Sequence, residues 1–335
     1  MMDFPSHDDD WYRTRLALPP KSSPDRPRIV IDTDAANEID DQFALAWALQ
    51  SASQLDVVAV YAEPFSFAHR RAGLPRAPVD AAPFNPPAIG MERSYREILN
   101  VFDKLGLPPQ GRVLRGSAGY LRSIDDPVRS EAVDQLIATA RATALDQPLY
   151  VVALGCVTNI ASALLLAPDI VDRVVVVWTS GYPSHAPHVN DSFNLEQDMA
   201  ASQILFDSGV PLVYLPGFHV GAQLRLSLAE VERHVRGNGA TGDYLHHLFT
   251  HNPLWPMLGI NGRQPHSWVI WDIINIAWLL DPLWVPSTLV RTPLLGADRR
   301  WQADATRHLM REAHAVERDA IFNDLFAKLA GWRAT

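Results

Sequence analysis

Apolar residues along the chain follow two spacings. Short continuous runs at 29–31, 55–61, 149–154, 174–179 and 210–216 have the length and β-branched content of strands. Between them lie helical patterns. Phe43, Leu45, Ala46, Trp47 and Leu49 predict an apolar helix over 40–50, and Tyr95, Ile98, Leu99, Val101, Phe102 and Leu105 an amphipathic one over 92–105, closed by Gly106 and Pro108. Helices are also expected at 131–144, after Asn159 through Leu166, at 199–208, and over 226–248 with a break near Gly237-Asn238-Gly239. The run 267–280, apolar apart from Asp272 and Asn275, reads as one buried helix, and 313–331 as a closing amphipathic helix. Short strands are expected near 112–115 and, at a sheet edge, within 285–293.

Strand, helix and strand in succession are βαβ units, which predict parallel pairing. The expected architecture is α/β: a single domain over 28–335 with a Rossmann-like, mostly parallel central sheet flanked by helices. Residues 1–27, acidic and Pro-containing, read as a flexible or surface-draped arm. The Pro- and Ala-rich stretch 63–91 leaves the carboxyl end of the second strand, where such sheets bind ligands, and reads as a substrate-covering loop or as surface packing.

Net charge is −9, from 38 acidic and 29 basic residues in 335, which argues against nucleic acid or an anionic membrane as partner. The lone cysteine, Cys156, excludes an intrachain disulfide. No signal-peptide pattern and no apolar run of membrane-spanning length occurs, so a cytoplasmic location is expected.

Charge changes the picture at one place. Asp32, Asp34, Asp40 and Asp41, with Asn37 and Glu38 between them, crowd the exit of the first strand. Helix capping accounts for one or two acids at such a corner. Four suit a hard divalent cation held by oxygen ligands, Ca²⁺ or Mg²⁺. Asp272 is a lone carboxylate in an apolar run and needs a partner, either a buried salt bridge or the same cation.

The segment DTDAANEIDD resembles the amino-terminal signature of the inosine-uridine nucleoside hydrolases, DxDPGxDD, with two residues more between Asp34 and Asp40 and with Ala35-Ala36 in place of Pro-Gly. Leu154 to Ala161, LGCVTNIA, resembles the family's GPLTNxA segment, and Ser192 to Asp198, SFNLEQD, its EFNxxxD segment. Asp272 falls on the family's last acidic station. The resemblance implies a Ca²⁺ held by Asp34, Asp41, Asp272 and the Leu154 carbonyl, with Asp34 as the general base toward a calcium-bound water. It implies ribose hydroxyls held by Asp40 and Asn194, a nucleoside substrate drawn from purine or pyrimidine salvage, and a homo-oligomer, dimer or tetramer.

Two departures bear on chemistry. Ser192 replaces the family's glutamate near the sugar 5′ end, for which Asn190 or Asp191 could substitute. Trp271 occupies the position where many members carry a histidine that protonates the leaving base. An indole cannot serve as that acid, though it can stack on a base. Phe65, His185, His188 and His219 stay open as further candidates for assisting departure. A non-hydrolytic nucleoside-binding member and an aspartyl phosphatase built on Asp32 and Asp34 are the competing readings.

Overall fold

The computed structural model describes residues 4–19, 26–78, 81–260 and 265–333. Its centre is an eight-stranded sheet in the order β3-β2-β1-β4-β5-β6-β12-β9. In chain order these are β1 (Arg28–Thr33), β2 (Asp56–Ala62), β3 (Val113–Arg115), β4 (Leu149–Ala153), β5 (Val174–Ser180), β6 (Leu212–Pro216), β9 (Ser287–Arg291) and β12 (Leu309–Ala313). All neighbours pair in parallel except β9, which runs antiparallel to β12 at the edge. Two small antiparallel ribbons lie outside it: β7 (Arg225–Ser227) with β8 (Ser267–Val269), and β10 (Leu294–Leu295) with β11 (Trp301–Gln302).

Helices cover both faces. They are α1 (Asp9–Arg15), α2 (Asp40–Gln50), α3 (Pro87–Leu105), α4 (Glu131–Arg141), α5 (Thr158–Leu166), α6 (Phe193–Glu196), α7 (Met199–Asp207), α8 (Leu228–Glu230, continued by a π-helical turn), α9 (Gly239–Thr250), α10 (Ile273–Leu280) and α11 (Arg318–Gly331). Ile29 and Ile31 of β1 join the core under α2, α3, α10 and α11, while Val30 joins the core under α4, α5 and α7. This alternation follows from the period-2 geometry of a strand. Helix α2 is buried from Asp40 to Leu49, packed by α3, α10 and α11, which is why its sequence is apolar all round rather than striped.

The mostly parallel α/β sheet agrees with the pattern of apolar runs. Three details differ from it. Strand β12 was not expected, because LMREA carries two charges. Both are hydrogen-bonded in place: Arg311 donates to the carbonyl oxygens of Leu16 (2.7 Å) and Ser287 (3.2 Å), and Glu312 accepts from the Ser184 amide (2.7 Å) and hydroxyl. The expected helix over 267–280 splits into β8 and α10, so Asp272 caps a helix instead of lying inside one. The helix expected from residue 313 starts at Arg318: Ala313 ends β12, and 314–317 connect the two.

The amino-terminal arm, over its described residues 4–19, is ordered against the sheet. Tyr12 and Leu16 are buried, the Tyr12 hydroxyl donates to the Gly209 carbonyl (2.7 Å), its ring stacks on His308 (5.2 Å), and Arg291 pairs with Asp9 (2.7 Å). Over these residues the arm, expected as flexible or surface-draped, is a helix docked on the sheet and held by an aromatic pair separated by nearly the whole chain. Residues 1–3 and 20–25 of the expected arm, and 79–80 of the expected loop, lie outside the described residues.

Candidate functional site

The sheet order reverses at β1, with β2 on one side and β4 on the other, and such a switch point opens a crevice beyond the strand carboxyl ends. Asp32 at the end of β1 pairs with Ala153 at the end of β4, so the acidic loop and the turn after β4 leave the sheet side by side. Gly155 is required there: a Cβ at that residue would lie 2.8 Å from Asp34 Cγ. The longer Asp34–Asp40 loop is folded back on itself. Asn37 donates from its backbone to Asp34 O (2.8 Å) and from its side chain to Asp34 Oδ2 (2.9 Å), and Gln42 and Arg93 donate to the carbonyls of Ala35 and Ala36.

This geometry brings Asp40, Asp41 and Asp272 together, each offering a carboxylate oxygen within 4.8 Å of the others. Asp34 stands beside them, outside that group of three but close enough that the Asp41 charge pushes its proton affinity up. Neither α2 nor α10 uses these carboxylates as a side-chain cap: the α2 N-cap is Ile39, and Asp272, itself the α10 N-cap, makes no capping bond. Burial, with the neighbouring carboxylates adding to it, raises Asp34, Asp40 and Asp272 well above the usual carboxylate range. Burial, with a smaller push from the charge of Glu97, carries Asp41 up to about 6, against the Thr33 hydroxyl that bonds its Oδ1.

The cluster fits a divalent cation. Asp34 Oδ1 and Asp41 Oδ2 are buried with no hydrogen-bond partner, and no lysine or arginine bonds to Asp34, Asp40, Asp41 or Asp272 among the described residues. So many buried acids are costly without compensating positive charge. The salt bridge considered for Asp272 is absent among the described residues.

Above the acids lies a cavity of about 240 Å³. Glu38, Asp40, Asp272, Leu154, Asn194 and Trp271 line it, with Phe67, Phe193, Phe218, Leu254 and Met257 forming apolar walls. Asn194 Nδ2 donates to the Leu154 carbonyl (2.6 Å) and the Thr179 carbonyl (3.3 Å), which fixes the amide over the turn after β4. A carbonyl oxygen so bonded keeps a second lone pair. Phe67 and Arg70 of the 63–91 stretch also line the cavity, and Arg70 and His69 pair with Glu196, which Arg299 bonds as well.

Other expected residues lie elsewhere. Asn190 does not line the cavity: its Oδ1 accepts from the Tyr182 amide (2.7 Å) and its Nδ2 donates to the Arg299 carbonyl (3.0 Å), so its polar atoms are spent on loop backbone. Asp191 and Ser192 do line it. Of the candidates for leaving-group assistance, Trp271 reaches the cavity. His185, His188 and His219 do not line it, the latter two packing on Tyr182 (4.5 and 5.2 Å between centroids), and Phe65 is buried under Arg93.

Asp32 faces away from the cavity as well. It accepts from Asn159 Nδ2 (2.9 Å) and sits against Glu63, a buried acid raised well above its ordinary range by burial and then by Asp32. That position does not suit a phosphatase nucleophile. Glu63 and Glu38 were not singled out from sequence. For Glu38, the signal available was its place among the four aspartates.

A sequence model of the family described as inosine-uridine preferring nucleoside hydrolase matches residues 75–320. Among curated proteins, the pyrimidine-specific ribonucleoside hydrolase RihA of Enterobacter sp. (strain 638) is 31% identical over 163 residues, 47% of this chain and 49% of that protein. The non-specific ribonucleoside hydrolase RihC of Shigella flexneri is 33% identical over 146 residues, 41% of this chain and 42% of that protein. The matched part thus spans about half the length of these curated relatives. The solved purine-preferring ribonucleoside hydrolase from Gardnerella vaginalis superposes with a TM-score of 0.71 at 21% identity, covering 91% of this chain and 98% of that one, a likeness of fold. The acidic loop at 32–41 precedes the residues that the family model matches.

Proposed function

The chain belongs to the inosine-uridine preferring nucleoside hydrolase family, and from that premise we propose that it hydrolyses the N-glycosidic bond of ribonucleosides, releasing base and ribose. The observation that carries this reading is the convergence of Asp40, Asp41 and Asp272 beneath a cavity of about 240 Å³ with apolar walls. Asp34, Asp41, Asp272 and the Leu154 carbonyl would hold a calcium ion. Bound there, the ion would supply positive charge that acidifies water and anchors vicinal hydroxyls.

The chain's own groups do the rest. Asp34, held by Asn37 and Gln197, takes the proton from the attacking water. Asp40 and the Oδ1 of Asn194 accept from ribose hydroxyls. The surrounding carboxylates stabilise the oxocarbenium-like charge that develops at C1′ as the bond to the base breaks. Trp271 and the phenylalanine walls take the base and exclude water. A cytoplasmic location and a homo-oligomeric state belong to the same proposal. Among the described residues, no helix is long and apolar enough to cross a membrane.

The test is to incubate the protein and Ca²⁺ with a nucleoside panel and to measure free base and reducing sugar. Release that is lost in Asp34→Ala is the expected result. Nucleoside binding without release would favour a non-hydrolytic member and overturn the proposal, as would hydrolysis of p-nitrophenyl phosphate in place of nucleosides. Calcium content measured on Asp272→Asn should fall relative to the parent.

A further inference from the structure

Loss of a base from a neutral nucleoside leaves electron density on a ring nitrogen or its conjugated oxygen, and enzymes relieve it with a proton donor. Among the described lining residues there is no histidine, lysine, tyrosine or cysteine. Trp271 is an indole with no usable acid. His188 and His219 do not line the cavity and pack on Tyr182, and His69, whose ring stacks on the wall residue Phe193 (5.8 Å), does not line it either and is paired with Glu196 (3.0 Å). Glu38 lines the cavity but stands at the acid end, receiving the Trp268 indole N–H and adding its charge to Asp40 and Asp272.

The same walls suit a positive charge. Even with a divalent ion set against Asp34, Asp41 and Asp272, the carboxyls of Glu38, Asp40 and Asp191 remain. The guanidinium in the described lining, Arg70, is already paired with Glu196. Trp271, Phe218, Phe193 and Phe67 add aromatic faces, which attract cations through their quadrupoles.

Resting on the hydrolase reading above, we propose that the preferred substrates are nucleosides whose base carries a fixed positive charge, such as N-ribosylpyridiniums and N7-alkylated purines. Their chemistry balances without an acid. The C1′–N bond breaks and its electron pair returns to the ring nitrogen, discharging the cation to a neutral base. Water forms the new C1′–O bond, and its proton goes to Asp34. The missing proton donor then costs nothing, whereas on inosine or uridine it forfeits the contribution of a general acid.

Two measurements test this. First, kcat/KM is compared for nicotinamide riboside and 7-methylguanosine against inosine and uridine, with the calcium-loaded protein. The cationic pair should exceed the neutral pair by on the order of 100-fold, the contribution a general acid makes elsewhere. Equal or faster cleavage of the neutral pair overturns the substrate class while leaving the hydrolase reading intact.

Second, binding of the 1-methylnicotinamide cation and of neutral nicotinamide is followed by tryptophan fluorescence. The cation should bind more tightly, and Trp271→Ala should weaken it roughly tenfold. If no nucleoside is cleaved, the hydrolase reading fails and the binding comparison still decides the charge preference: equal affinities for the two rings overturn it.

Discussion

Single residues set the geometry of the acid cluster. Gly155 is the sharpest case, since an added Cβ would meet Asp34 at Cγ, Oδ1 and Cβ, at 2.8 to 3.2 Å. Asp34 is tied down by Asn37, so the carboxylate must tilt away from its position. Gly155→Ala is therefore expected to lower kcat by on the order of 100-fold with a native-like melting curve. Unchanged kcat would mean that the placement of Asp34 does not matter to the reaction. Asn159 acts one layer deeper. It accepts from the Ser117 amide (2.7 Å) and hydroxyl (2.8 Å) and donates to Asp32 (2.9 Å), all buried. Asn159→Ala strands a buried amide and a carboxylate oxygen and should cost about 3 kcal/mol in a urea unfolding experiment. A loss under about 1 kcal/mol would show that water replaces the amide.

Elements bring these residues to one place. The loop after β1 carries Asp34, the first turn of α2 carries Asp40 and Asp41, the end of β4 carries the Leu154 carbonyl, and the cap of α10 carries Asp272. Because α10 packs on α2, the last acid arrives opposite the first three. Helix α1 contributes from the far end of the chain, through Tyr12 and Leu16 buried beside Gly209, His308 and Arg311. Replacing both Tyr12 and Leu16 by alanine should lower Tm by roughly 5–10 °C and leave catalysis per folded molecule unchanged, since neither touches the cavity. An unaltered Tm in a thermal melt would mean that the helix docks without stabilising.

At the scale of the whole molecule, the buried acids couple stability to pH and to the cation. Without a bound ion, burial holds Asp41 near 6 and Glu38 near 7, both above their ordinary values of 3.8 and 4.5. A carboxyl raised in the fold stabilises it fully below the unfolded value, and that stabilisation is lost as pH rises through the folded value. The metal-free protein should accordingly lose stability across roughly pH 4 to 7 from these groups, and added Ca²⁺ should restore it. The expected result is a larger calcium-induced rise in Tm at pH 8 than at pH 5. Equal rises at the two pH values would exclude Asp41 from the calcium site.

Sequence alone determined the class of the fold and the presence of an acidic corner, because both are written in local spacing. Ile29–Ile31 followed by four aspartates carries its meaning within a dozen residues, and the motifs around Asn159 and Asn194 carry the family resemblance. Tertiary structure decided what depends on partners distant in sequence. Strand β12 buries its charges because Leu16, Ser184 and Ser287 hydrogen-bond them. Asn190 leaves the candidate site because Tyr182 and Arg299 claim its amide. Asp272 joins Asp40 and Asp41 because α2 and α10 pack together. Each is a matter of whether a polar atom finds its partner across the fold, and a linear pattern does not encode that pairing.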